Sequence, residues 1–216
     1  MGGSGDKKTP IVIVGGGGHG KVVASILDKL NYNIVGFVDV KEKIGTYVYK
    51  NYKVVATDEQ LEELFRSGIT NAVIGIGSVG NSNLRIKMYK LLKHIGFKLP
   101  VVISPEAIVD ETVLLDEGTV IMAGAVIQPS TTVGKMVIVN TKASIDHDCF
   151  IGDFVHIAPG VTLSGGVRVG NYSHIGTGAS IIQGVSIGSH TIVGAGAVVV
   201  KDVPDGKVAK GVPAKW

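Results

Sequence analysis

From about Val101 to Val200 the chain repeats one six-residue pattern without a break: VVISPE AIVDET VLLDEG TVIMAG AVIQPS TTVGKM VIVNTK ASIDHD CFIGDF VHIAPG VTLSGG VRVGNY SHIGTG ASIIQG VSIGSH TIVGAG AVVVKD. Every third position is aliphatic, from Ile103 to Val199, and every first position is Val, Ala, Thr, Ser or Cys. A period of six is neither the helical period nor plain strand alternation. It is the period of a short strand plus a turn, used again and again. The first and third positions share the inward side of each strand. The Gly, Asp or Asn that often fills the fourth position is expected to help the chain round a corner. Three strands close a triangular coil of about eighteen residues, and coils stack at roughly the 4.8 Å spacing of paired strands. No isolated coil can bury its aliphatic row, so the fold must be an array.

Ahead of the repeat the pattern changes. Ile11–Val14 is a continuous apolar run ending in GGGGHG, as a buried parallel strand would be. Val22, Val23, Ile26, Leu27 and Leu30 fall at helical spacing, which predicts a helix over Lys21–Leu30. A second strand is expected at Ile34–Val38, closed by Asp39, and a third at Ala72–Ile76. Thr57 and Gln60 form a capping-box pattern at the head of a helix ending near Ser67, and Asn83–Ile95 reads as another helix. The expected organisation is a flexible N-terminus or tag over 1–9, a small α/β domain over 10–100, and a β-helix with a C-terminal tail over 101–216.

The formal net charge is +3 without a basic block, which gives no footing for nucleic-acid binding. The apolar runs are too short and too broken by Gly for a membrane span. Cys149 is the sole cysteine, so no intrachain disulfide framework exists, and it sits at an inward first position. A cytoplasmic location is the default expectation.

Two stretches carry candidate chemistry. Gly15, Gly17 and Gly20 match G-x-G-x-x-G, and Asp39 follows about twenty residues later, as in a dinucleotide fingerprint. A full dinucleotide fold needs two mononucleotide halves, and this domain has room for about one. Binding of a single nucleotide diphosphate at the helix N-terminus is the alternative that fits the size; a bare strand–helix turn is the other. Gly75 and Gly77 end a strand on the same carboxyl edge and are expected to let a pyrophosphate approach. In the coils, His147 and Asp148 fill the last two places of their block, at a corner where side chains leave the stack. An imidazole with a carboxylate beside it suits a general base for transfer of an acyl group to an amine. An exposed polar turn is the plain alternative.

The hexad frame resembles the left-handed parallel β-helix of hexapeptide-repeat acyltransferases. More closely, NTKASIDHDCFIGDFVHIAPGVTLSGGVRVG is similar to the active-site region of bacterial nucleotide-sugar N-acetyltransferases, a group that includes sialic-acid O-acetyltransferase-like proteins. GGGGHG, GFVD, AVIGIG and GVPAK extend the resemblance over nearly the whole chain. It implies acetyl-CoA as cosubstrate, a nucleotide-linked amino sugar as acceptor, and a homotrimer with active sites between neighbouring β-helices. It implies that His147 is the general base and that Asp148, where many relatives carry Glu, tunes it. It further implies Gly165 as an oxyanion donor, His156, Thr177 and Ala195 as cofactor contacts, and Gly17, Gly18, His19, Asp39 and Gly77 as substrate contacts. Some relatives carry a second acidic residue after the one matching Asp39, where this chain has Val40. Three other functions are weighed against this one: a sugar O-acetyltransferase, a zinc lyase and a non-catalytic trimeric scaffold. The lyase draws on His156 and His174, one coil apart, but carbonic anhydrases on this fold use a His-x4-His pair that is absent, and no metal is expected.

Overall fold

The computed structural model describes residues 8–216; most of the expected N-terminal tag therefore lies outside the described residues. The chain divides into two compact units, one of residues up to Gly77 with Lys87–Pro100, the other of Ser78–Ile86 with Val101–Trp216.

In the first unit, β1 (Thr9–Val14) leads through the glycine loop into α1 (Gly18–Leu27), and β2 (Tyr32–Val38) follows. Next come β3 (Tyr47–Tyr49) and β4 (Tyr52–Ala56), then α2 (Leu61–Arg66), β5 (Asn71–Ile74) and α3 (Asn83–Ile95), which belongs to this unit from Lys87 on. The sheet order is β3-β4-β2-β1-β5, all parallel except the β3–β4 pair. Ile11, Val12, Ile13 and Val14 are all buried, as a central strand covered on both faces requires. The β3–β4 hairpin departs from the sequence expectation of three strands. Its turn is Lys50–Asn51, with Lys50 left-handed at φ 46°; Lys-Asn lacks the glycine that marks such turns in sequence. The expected capping box is present: the Thr57 side chain and the Gln60 backbone N–H face each other, and the Gln60 Oε1 accepts from the Thr57 N–H at 3.0 Å.

The second unit is a three-sided parallel β-helix. Each strand pairs with the one eighteen residues on, for example Val126 with Ser144 and His156 with His174. The first face carries seven strands from Val102–Ile103 to Val208–Ala209, the second six from Ile108–Val109, and the third five from Leu114–Leu115. Third-position residues from Ile121 onward are buried, and each contributes about 1.5–3 kcal/mol by leaving water. Ile103, Val109 and Leu115 in the first coil are only partly buried, because no coil lies below them.

Polar first-position residues have a definite task. Thr119, Thr131 and Ser173 donate to the carbonyls of Gly134, Asp146 and Gly188 at 2.7–2.9 Å, each a fourth-position carbonyl in the next coil. Cys149 repeats the contact, its Sγ donating to Ser164 O at 3.3 Å. An inward hydroxyl or thiol thus satisfies a corner carbonyl that the ladder leaves over.

The corners correct one expectation. From Gly118 to Gly196 the left-handed residue is the sixth of each block: Ser130, Met136, Lys142, Asp148, Phe154, Tyr172 and His190, or else Gly. Fourth-position glycines serve close stacking. A Cβ on Gly134 would lie 3.0 Å from Gly152 C, and one on Gly176 would lie 2.6 Å from Ala195 N.

Ser78–Ile86 belongs with the first face. The His156 Nδ1–H donates to the Ser78 carbonyl, and the buried Arg85 donates through Nη2 to Met136 O at 2.7 Å. Outward residues of that face (Val102, Val120, Ile138 and His156) are buried.

Candidate active site

The corner at His147 is built by the repeat itself. Ile145 and Cys149 point inward on either side, so the chain must turn outward between them, and residues 147 and 148 form that turn. Asp146 Oδ1 accepts the His147 N–H at 2.8 Å, and Asp148 holds φ 58°. Left-handed backbone is tolerable for Asp, whose short side chain bonds locally. It brings Asp148 Oδ2 within 2.7 Å of His147 Nδ1. The shorter Asp therefore makes the ring hydrogen bond. A carboxylate only accepts, so Nδ1 carries the proton and Nε2 is the basic nitrogen. The Asp148 hydrogen bond raises the imidazole pKa above its ordinary value, burial opposes this, and the charges of Asp146 and Asp148 add to the rise. The His147 side chain is 53 % exposed.

Gly165 lies one coil on, directly against the ring. At some other corners the fifth-position N–H is taken by an Asp or Asn oxygen, as at Lys135, Thr141, Asp153 and Ser189. Among the described residues the Gly165 N–H has no such acceptor; its block has Ser164 in the fourth place.

Thr177 and Ala195 are exposed, one above the other, on the edge between the first and second faces. His147 and Gly165 are on the edge between the second and third. The second face separates them within one chain.

His156 lies on the first face and is 7 % exposed. Both ring nitrogens are committed: Nδ1–H to Ser78 O, and Nε2 accepting from Asn140 Nδ2 at 3.1 Å. Burial drives its pKa down to about 4, against the pull of the Ser78 carbonyl and with added repulsion from His174 and Arg85. His174 stands edge-on to it at 4.9 Å, and its pKa is also lowered by burial. No cluster of three or more His, Cys, Asp or Glu suited to a metal occurs among the described residues.

In the first unit the glycines divide by task. A Cβ on Gly75 would lie 2.7 Å from Gly15 O and 2.8 Å from Gly20 Cα, so Gly75, Gly15 and Gly20 serve packing of strand against helix. The expected pyrophosphate approach at Gly75 is thereby corrected: its own chain fills that space. Gly17 and Gly18 have nothing within 4 Å of an added Cβ, and Gly77 meets only the His19 side chain, Cβ at 3.5 Å and Cγ at 3.9 Å. Gly17 and Gly18 head α1, where free N–H groups favour an anion. Asp39 holds the loop in place. Its carboxylate accepts from Gly16 N at 2.8 Å, Val40 N at 2.7 Å and Lys43 Nζ at 3.0 Å. Burial pushes its pKa up, but these bonds outweigh burial and leave it below the ordinary value.

A stacked hexad prism with an imidazole at its edge defines a hexapeptide-type transferase. Residues 148–183 match the bacterial transferase hexapeptide family model, and residues 10–92 match the PglD N-terminal domain model. The structure of PerB from Caulobacter crescentus in complex with CoA and GDP-perosamine is similar at 40 % identity and a TM-score of 0.89, over 95 % of this chain and 96 % of that one. The acetyltransferase domain of PglB from Neisseria gonorrhoeae is 40 % identical with a TM-score of 0.88, over 96 % and 98 %. WeeI from Acinetobacter baumannii is 30 % identical with a TM-score of 0.84, over 95 % and 98 %. The chain belongs to the nucleotide-sugar N-acetyltransferases of the hexapeptide superfamily, and its prism is that superfamily's left-handed β-helix. It is an acyltransferase, acting on the amino group of a nucleotide-linked sugar with acetyl-CoA as cosubstrate. No helix among the described residues is long and apolar enough to cross a membrane.

Proposed function

We propose that His147 is the general base of this acetyl transfer, with Asp148 as its orienting partner. The observation that carries the reading is the 2.7 Å bond from Nδ1–H to Asp148, which leaves Nε2 as the basic nitrogen of a half-exposed ring at the edge. The sugar amine attacks the thioester carbonyl carbon, forming the C–N bond. The C–S bond breaks with its electron pair left on sulfur, and Nε2 takes the proton the nitrogen sheds. The unclaimed Gly165 N–H is a donor for the carbonyl oxygen as it gains negative charge.

Thr177 and Ala195 are read as cosubstrate contacts, since their edge is open. His156 joins them only by exchanging its bond to Ser78 or Asn140. Because that edge and the His147 edge flank the second face, one chain cannot bring both to one ligand. This supports a homotrimer in which each active site takes one edge from each of two neighbouring copies. Gly17, Gly18, His19, Asp39 and Gly77 are read as the acceptor's nucleotide contacts, with the diphosphate at the head of α1. PerB holding GDP-perosamine supports a nucleoside-diphosphate amino sugar as acceptor. The three parts of the domain organisation are read as a leading segment over 1–9, a nucleotide-sugar domain over 10–100 and an acetyl-CoA domain over 101–216. A buried free thiol at Cys149 is in keeping with the cytoplasm.

The test is turnover of GDP-, UDP- and dTDP-linked amino sugars and their hydroxyl counterparts by wild type and His147→Ala. An amine acceptor should be acetylated by wild type only. Equal turnover by the variant removes His147 from the mechanism, and acetylation of hydroxyl acceptors alone reassigns the reaction.

A further inference from the structure

We infer that Gly165 is the seat of the His147 imidazole, and that the absence of a side chain there sets where the base points. This rests on His147 being the base, and is separate from the N–H role given to Gly165 above. A Cβ built on Gly165 would lie 2.6 Å from both Cε1 and Nε2 of His147 and 3.2 Å from Cδ2. No real Cβ approaches that closely, so any other residue would move something.

The thing that moves is the ring. The His147 ring is held by a single hydrogen bond, from Nδ1 to Asp148, and is half-exposed. The backbone around it is fixed by the ladder: Gly166 N donates to His147 O at 2.8 Å, Gly184 N donates to Gly165 O at 3.0 Å, and Asp148 N donates to Pro129 O at 3.1 Å. Gly165 itself has an ordinary φ, since it is not among the left-handed residues. Its identity is therefore not demanded by the backbone turn, unlike that of Gly166 at φ 67°. The ring is what requires glycine. An alanine would rotate the imidazole off its seat, draw Nδ1 away from Asp148, and leave fold and N–H in place. Charged groups acting on the ring are Asp146 and Asp148 on its own turn; the coils on either side place Pro129 and Gly165 at this corner, neither of them titratable.

Gly165→Ala tests this against His147→Ala. The melting temperature of Gly165→Ala should stay near that of wild type, while kcat falls by about a hundredfold, the scale of a 1 Å misplacement of a reacting group. The acid limb of its kcat/KM profile should move to lower pH, because the ring has lost the carboxylate that favours its protonated form. An NMR titration of the His147 imidazole should shift the same way. In wild type, an NOE should join His147 Hε1 to the Gly165 α protons. Wild-type kcat in Gly165→Ala with an inactive His147→Ala overturns the seat and keeps the base. A loss of kcat with an unmoved limb and titration also overturns the seat, since crowding of substrate would then be the cause. Full activity in His147→Ala overturns the base; the NOE and the titration then decide the seat alone, and their absence ends it.

Discussion

His147 and His156 are nine residues apart in the same repeat and live in opposite surroundings. The edge leaves the first open to solvent with its basic nitrogen free, and a carboxylate raises its pKa. The covered first face buries the second, commits both its nitrogens, and lowers its pKa to about 4. Residue type is the same; position in the hexad is not. The fifth place is a turn residue, and the second place points outward from a strand onto whatever covers that face. In this fold, then, an edge can host acid–base chemistry without cost to the core, whereas a face residue under Ser78–Ile86 is part of the packing.

The largest effect should come from separating the two rings by mutation. His147→Ala should lower kcat by about 10²- to 10⁴-fold, the usual worth of a general base, with an unchanged melting temperature. His156→Ala should instead cost about 1–3 kcal/mol in urea unfolding, since it leaves the Ser78 carbonyl and the Asn140 amide without their partners. If His147→Ala were the variant that melts and His156→Ala the one that holds, the contrast between edge and face would be broken.

The same contrast predicts a pH dependence of stability. His156 is held neutral in the folded chain to about pH 4, while in the unfolded chain it protonates near 6.5. Its folded pKa is depressed, so the unfolded state binds more protons between those values. Stability is whole above about pH 6.5 and is lost as pH falls towards 4, by about 3 kcal/mol. His174, lowered by burial, adds in the same direction. His156→Asn should flatten the slope of urea-unfolding free energy across this window. An unaltered slope in the variant would show that other groups carry it.

How much of this was legible in the sequence follows from the range of each interaction. The stacking and inward rows of the prism are legible because each coil repeats the same inward pair, so Ile151 or Val169 can be placed without knowing its neighbours; its hand comes only from the family resemblance. The left-handed sixth position was not legible, because Lys142, Asp148, Phe154 and Tyr172 fill it as well as Gly and leave no compositional mark. His147 with Asp148 was legible since both partners are adjacent. The setting of His156 was hidden because its partner Ser78 is 78 residues away, in a segment that reads as a loop. In the first unit the glycine motif was visible, but the split between packing glycines such as Gly75 and open ones such as Gly17 depends on what lies opposite each Cα. The β3–β4 hairpin was missed for want of a glycine in its turn.

A subtler prediction concerns how Asp148 acts. Asp148→Asn removes the charge that stabilises protonated His147. Neutral imidazole is the active form of a base, so kcat/KM rises with pH through its pKa. Loss of the carboxylate lowers that pKa, and the acid limb should move to lower pH with a fall in kcat as the ring loses its orientation. A limb that stays in place would mean that another group titrates.

The smallest effect should be that of Asp146→Asn. Asp146 also raises the His147 pKa, but by charge at a distance; its hydrogen bond goes to the backbone N–H of His147, not to the ring. Asn keeps an oxygen for that N–H, so the turn should survive and kcat should change little. What remains is a Coulomb effect across an exposed corner, and such effects fade beyond the Debye length, about 8 Å near physiological salt and about 3 Å at 1 M. The acid limb of Asp146→Asn should therefore sit slightly below wild type at low salt and merge with it at high salt. The limb of Asp148→Asn should stay displaced to higher salt, because a charge in contact at 2.7 Å is screened less than one farther off. If both displacements vanished together on adding salt, Asp148 would be acting as a distant charge too, and the edge would owe its base to electrostatics alone.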